Sequence, residues 1–562
     1  MFHSQSLQLR TPQPVGQLHM ETLTALTMDI RGFSITLCFL ICVFPSSFGL
    51  NPDEVERLGR SSYIAAVYEH RVVLTPEPHL DRTRAAALRH MRTNLDVFEE
   101  QARRASQQGV QILVFPEDGI HGFNFSRSSI SSYLETVPDP RLESWNPCTQ
   151  PGRYNNTDVL QRLSCMARCY SLYLVANMAS MQPCPASTDP PTCPSDGRWQ
   201  FNTDVVFSSD GQLVARYHKQ NLYFEKAFDV PPSPELITFD TPFAGRFGVL
   251  TCFDLMFREP AVGLVERGVR QLVYPTAWMN QLPLLAAAQF QRAFSLGAGV
   301  TVLAANVRSD VLGMTGSGIF TPASALAHHH SFQGQPEEGR LLVARVPVLD
   351  PLWSGAEEEA AGGEVEDVGG DGSSWSVVES SHCKQEENNC LASTPSPSPC
   401  PVTSSSPTFN SSMMYDLFTF ARLPAVQGQL RVCQGTLCCH LQYRRSQPGG
   451  GELYALGAFA GTHTVNGRYA LQVCALVRCA GPEATSCGQE VVEAESKMDF
   501  VLSGRFETPH VYPSLVVSGV KLEQPRHLDI KPTGTVTMAH SNMAAGLVTA
   551  CLYGRMYHLD RV

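Results

Sequence analysis

The sequence predicts an α/β layered domain followed by a smaller, disulfide-rich, mainly β domain. Three observations lead there. Apolar runs of strand length alternate with helical patterning between Ser61 and Pro347, an acidic and Ser/Pro-rich stretch then breaks the composition, and short alternating segments with clustered cysteines follow Asn410. A chain of 562 residues that is 43% hydrophobic has enough apolar material for more than one core.

The elements follow in chain order. Residues 1–49 are expected to be a signal peptide: the apolar segment Phe33 to Phe44 is preceded by Arg31 and closed by Pro45 and small residues through Gly49, with Met28 just upstream as an alternative start. That segment is short for a bilayer span. The layered domain is placed at 57–350. Leu88, Met91, Leu95, Phe98 and Ala102 step by three and four, which predicts an amphipathic helix stopped near Gly109. The next run, Val110 to Asp118, is apolar throughout and ends in acids, as a strand covered on both faces requires. Similar runs occur at Tyr63 to Tyr68, Leu172 to Ala176, Phe247 to Thr251, Gln271 to Tyr274 and Val300 to Ala304. Val205 to Phe207 and Leu213 to Ala215, about the turn Ser209-Asp210-Gly211, predict an antiparallel hairpin.

Residues 351–409 are a linker by their acids, Gly, Ser and Pro. Seven carboxylates between Gly355 and Asp371 contribute to the net charge of −11, so the acidity belongs largely to a solvated loop. A chain of this charge offers no basic surface for nucleic acid. The β domain is placed at 410–562, where Cys433, Cys438, Cys439, Cys474, Cys479 and Cys487 cluster. Of 18 cysteines, Cys38 and Cys42 fall in the leader, and many of the rest are expected in disulfides of an exported protein. Sequons at Asn124, Asn155 and Asn410 are candidate glycosylation sites. The C-terminal residues are polar and charged, without the apolar tail of a lipid-anchor signal, so no stable membrane anchor is expected and the protein is expected to be secreted.

Three segments place a reactive side chain just after a predicted strand: Phe115-Pro-Glu117-Asp118-Gly119, Arg216-Tyr-His-Lys219 and Gly248-Val-Leu-Thr-Cys252-Phe-Asp254. In α/β sheets, sites are built at strand ends. A cysteine on such a turn is held rigidly, and the following N–H, that of Phe253, can face the same point, which suits a nucleophile with an oxyanion donor. Other constellations fail. His328-His-His330 lacks carboxylate or cysteine neighbours at ligand spacing, the Cys433/Cys438/Cys439 group suits disulfides better than zinc, and Ser317 lacks the serine-hydrolase elbow and is read as a turn.

In order and spacing the three segments resemble the Glu, Lys and Cys motifs of the nitrilase superfamily of carbon–nitrogen hydrolases. Val114 to Asn124, Asn221 to Glu225, Tyr274 to Pro283 and Met314 to Ile319 are similar to its biotinidase and pantetheinase (vanin) branch, which also carries a second module. The resemblance covers nearly all of the chain beyond the leader except the linker, which is longer than the family needs. It implies a nitrilase-like αββα sandwich, with Glu117 as acid and base, Lys219 and the Phe253 N–H at the oxyanion, Cys252 as nucleophile and Glu225 orienting Lys219. Trp278 is a candidate wall of the acyl pocket. No metal and no organic cofactor are implied. The implied substrates are small molecules, biocytin and short biotinyl peptides, because Tyr274 to Ala288 looks more biotinidase-like. Pantetheine is the alternative. A third reading, a catalytically silent biotin-binding protein on the same scaffold, is opposed by the intact Glu117, Lys219 and Cys252.

Overall fold

The computed structural model describes residues 62–184, 193–332, 334–349, 407–446 and 451–560. The leader, Met28 and nearly all of the linker lie outside them. The N-terminal domain holds β1 (Ser62–Glu69), β2 (Ile112–Val114), β3 (Tyr173–Pro183), β4 (Arg198–Phe207), β5 (Leu213–His218), β6 (Thr238–Thr241), β7 (Gly245–Val249), β8 (Gln271–Pro275), β9 (Thr301–Ala305), β10 (Ser317–Phe320), β11 (Ala325–His329) and β12 (Arg340–Pro347). They form two sheets of like design, ordered β12-β1-β2-β3-β4-β5 and β11-β10-β9-β8-β7-β6. In each, three parallel strands lie at the centre and antiparallel strands outside. Every residue of β2, β8 and β9 is buried, which is why these segments read as unbroken apolar runs.

The sheets meet face to face through Tyr63, Val67, Val114 and Val175 on one side and Phe247, Val273 and Leu303 on the other. Two helices, α1 (Arg84–Ser106) and α2 (Asp158–Tyr170), cover the outer face of the first sheet. Thr83 caps α1, its hydroxyl accepting from the Ala86 N–H, and the predicted stripe Met91, Leu95, Phe98 and Ala102 is buried. The Phe98 ring stacks on Phe115 at 3.9 Å between centroids, so the helix packs directly beneath the segment that carries Glu117. A third helix, α3 (Ala287–Ala298), covers the second sheet and completes the αββα layers.

Residues 408–555 build a sandwich of a seven-stranded and a five-stranded antiparallel sheet. Its larger sheet packs on α3, where Phe290 and Phe294 meet Tyr512. Among the described residues five disulfides form: Cys148–Cys165, Cys184–Cys193, Cys433–Cys438, Cys439–Cys474 and Cys479–Cys487. Cys169, Cys252 and Cys551 are free. No described helix is long and apolar enough to cross a membrane.

Two features depart from the sequence reading. The strand expected at Leu172 to Ala176 runs on to Pro183, paired throughout with β4. Ser317 is no turn: it opens β10, buried, its hydroxyl donating to Glu69 (2.9 Å) and accepting the Asn306 N–H (2.9 Å). Burial of a partner carboxyl, which single-residue spacing does not reveal, explains that serine.

Candidate active site

Glu117, Lys219 and Cys252 come from different strand ends and line one cleft of about 800 Å³ counting its opening to solvent. Cys252 follows β7 and starts a short 3-10 turn, Cys252–Met256. Its φ of +44° is left-handed, a conformation that costs a non-glycine residue of order 1 kcal/mol and persists only where neighbours enforce it. They do so here. Thr251 and Asp254 form a capping box, the Tyr274 hydroxyl donates to the Cys252 carbonyl (2.6 Å), and Asp254 is fixed by the Tyr217 hydroxyl (2.7 Å) and the Asn221 N–H (2.9 Å). Phe253 is the second residue of the turn, at its N-terminal end, where backbone N–H groups have no partner inside the helix.

Lys219 directly follows β5, and its backbone N–H donates to the Asn202 carbonyl. Its ammonium, 2% exposed as a residue, donates to Glu117 Oε1 (2.6 Å) and to Glu225. The other Glu117 oxygen accepts the Ala277 N–H (2.9 Å). Asn202 on β4 ties the acids together, its Nδ2 donating to Glu117 Oε1 (2.9 Å) and Glu225 Oε2 (2.7 Å) while Asn177 Nδ2 donates to its oxygen (2.6 Å). Asp118, at φ +53°, anchors its N–H on Asn177 and keeps Oδ1 buried without a hydrogen-bond partner.

These contacts decide the charges. Burial pushes the Cys252 thiol well up, the Glu117 charge adds to that, and Lys219 with the Thr276 and Ala277 groups opposes it, so the resting nucleophile is a neutral thiol. Burial pulls the Lys219 pKa down, but the Glu117 and Glu225 charges outweigh it and hold the ammonium. Burial, then the Glu117 and Glu225 charges, raise the Asp118 carboxyl. The site thus contains a thiol, a carboxylate able to accept its proton, and a fixed cation: the parts of a covalent acyl transfer. No three His, Cys, Asp or Glu side chains converge as a metal site would need among the described residues.

Of the other residues singled out by sequence, Glu225 is bonded to Lys219. Trp278 is 8% exposed and has both roles open to it: its ring stacks on Phe290 in the core, its indole N–H donates to the Leu285 carbonyl (3.0 Å), and it also walls a second cavity beside Cys252. Asn124, Asn155 and Asn410 are exposed, Asn124 at the cleft mouth. Sequence reasoning missed Asn202, Asn177 and Asp204. Each is buried; Asn177 interrupts the apolar run of β3, and that interruption was the available signal, whereas Asn202 and Asp204 lie on β4 among the polar Gln200 and Thr203.

Residues 84–314 match the carbon–nitrogen hydrolase family and residues 408–560 the vanin C-terminal domain. The chain is 64% identical over 502 residues to biotinidase of Takifugu rubripes, covering 89% of this chain and 95% of that one. It is 47% identical over 507 residues to biotinidase of Homo sapiens, with 89% and 90% covered, and 42% identical over 506 residues to pantetheinase of Mus musculus, with the same coverage.

Proposed function

The chain belongs to the biotinidase and vanin branch of the carbon–nitrogen hydrolases, and from that membership we propose that it releases biotin from biocytin and short biotinyl peptides through a thioester on Cys252. The observation that carries the mechanism is the convergence of Cys252, Glu117 and the doubly paired Lys219 in one cleft.

Glu117 takes the thiol proton as sulfur attacks the amide carbon, a pairing the raised thiol requires, because little thiolate exists beforehand. The carbonyl oxygen becomes an oxyanion facing the Lys219 ammonium and the Phe253 N–H, one such donor contributing about 3 kcal/mol. The tetrahedral species collapses with cleavage of the C–N bond, and the proton on Glu117 passes to the departing amine. Water then loses a proton to Glu117 and attacks the thioester. The C–S bond breaks, the proton returns to sulfur and the free acid leaves. Glu225, held by Asn202 and the Tyr223 N–H, positions Lys219, and Trp278 forms a wall of the acyl pocket.

Biotin is favoured over pantothenate by the higher identity to biotinidase than to pantetheinase. Five disulfides support secretion, with Asn124, Asn155 and Asn410 as glycan acceptors. Initial rates on biocytin and pantetheine, measured side by side, test the substrate. Preference for biocytin is expected. Preference for pantetheine would replace the substrate and keep the chemistry, and stoichiometric biotin binding without turnover would replace both.

A further inference from the structure

Cys252 lines two cavities. The first is the cleft holding Glu117 and Lys219. The second, about 480 Å³ counting its opening, adjoins it, sharing Tyr223, Cys252, Ala277 and Met279, and neither Glu117 nor Lys219 lines it. One wall comes from the hydrolase layers, with Phe253 and Trp278; the opposite wall is a loop of the C-terminal sandwich, with Asn466 and Tyr469. That loop is built for its place. The His463 ring bridges Asp416 Oδ2 (2.8 Å) and the Val465 carbonyl (2.5 Å) and stacks on Tyr469 at 4.7 Å between centroids. Asn466 takes φ +58° and Gly467 φ +146°; a Cβ at 467 would stand 2.8 Å from the Phe253 ring, so only glycine allows the loop this close to the turn that carries the nucleophile.

We propose that this second cavity is the acyl subsite, and that the C-terminal domain supplies its specificity-determining residue, Asn466. The assignment rests on the amide-hydrolase reading above. Glu117 protonates the departing nitrogen, so the amine must leave into the cleft that Glu117 lines, and the acyl group is directed to the adjoining cavity that Cys252 also lines. The chemistry of the two halves agrees. The amine half of biocytin carries an ammonium and a carboxylate and suits the cleft with Glu117, Lys219, Glu225 and Lys226. The acyl half is uncharged: its pentanoyl chain and thiophane ring suit Phe253, Trp278 and Tyr469, and its ureido group needs one residue that both donates and accepts, as the Asn466 amide does. A site that hydrogen-bonds a polar head rejects analogues lacking it much more strongly than an apolar wall does.

Asn466→Gly removes the amide while tolerating the positive φ. The variant and the unsubstituted protein are compared on biocytin and on Nε-pentanoyl-lysine, which keeps the chain and the amine but lacks the rings. A fall in kcat/KM of about tenfold or more on biocytin, with less than about a twofold change on the pentanoyl amide, is expected. Equal loss on both substrates would make the loop a structural support, and no loss on either would remove Asn466 from the subsite. A loss that tracks the amine when lysine is exchanged for methylamine would reverse the assignment of the two cavities. Should the unsubstituted protein cleave the pentanoyl amide and not biocytin, the biotin reading falls and this inference with it.

Discussion

Replacing Lys219 by Met separates service to the reaction from service to the fold. The ammonium is 2.6 Å from Glu117 Oε1 and also bonded to Glu225. Met keeps the stem and removes the charge, leaving two buried carboxylates that share only Asn202. Breaking a buried pair of this kind costs about 3–5 kcal/mol. At about 2–4 °C per kcal/mol for a domain of this size, Tm falls by roughly 6–20 °C. Losing an oxyanion donor independently lowers kcat by about 10²–10³. Lys219→Met/Glu225→Gln removes one charge of each sign. It should recover most of the lost Tm, because one carboxylate no longer faces another, while leaving kcat low. Thermal melts and saturating-substrate rates on biocytin are the assays. A double variant that recovers both quantities, or a Lys219→Met enzyme within tenfold of the original kcat, would make Lys219 a structural cation and refute its place at the oxyanion.

Two further outcomes follow from buried groups outside the reacting atoms. Burial lifts Glu69 from 4.5 to about 7 against the hydrogen bonds of Thr315, Ser317 and Gly316. The folded state therefore binds its proton more tightly than the unfolded chain does, so its stabilising effect is complete below about pH 4.5 and is lost as pH rises through about 7. Glu69→Gln should flatten the fall in Tm between pH 5 and 8, and an unchanged slope would show that Glu69 is ionised throughout. Arg555 is wholly buried in the C-terminal sandwich, yet it donates to the Met256 carbonyl (2.9 Å), the last residue of the turn that Cys252 begins, while pairing with Asp560 (2.6 Å). Arg555→Met should lower stability by about 3–5 kcal/mol in denaturant unfolding and reduce kcat through the nucleophile turn. Loss of stability with kcat intact would confine Arg555 to its own domain.

Much of the fold was legible because the central strands are buried on both faces and carry few polar residues to blur the pattern, as in Ile112–Val114 and in Gln271–Pro275, where Gln271 stands at the strand's start. Glu117, Lys219 and Cys252 were legible because each follows such a strand. Asn202 was hidden because its role depends on two acids, Glu117 and Glu225, that it meets only in space. The edge strand Arg340–Pro347 is only partly buried and has no clean alternation, so periodicity passed over it. The loop of His463 to Tyr469 was invisible for another reason: more than two hundred residues separate it from Cys252, and packing of the sandwich on the hydrolase layers brings it to the cavity that Cys252 lines.

The central claim, that Cys252 carries the acyl group, is tested most directly by acid-quenching the protein during turnover of an activated biotin ester, for which deacylation is the slow step, and mapping the adduct by peptide mass. A biotinyl thioester on the Cys252 peptide is predicted. Turnover of the ester with Cys252 unmodified, or with the acyl group on another residue, would contradict it.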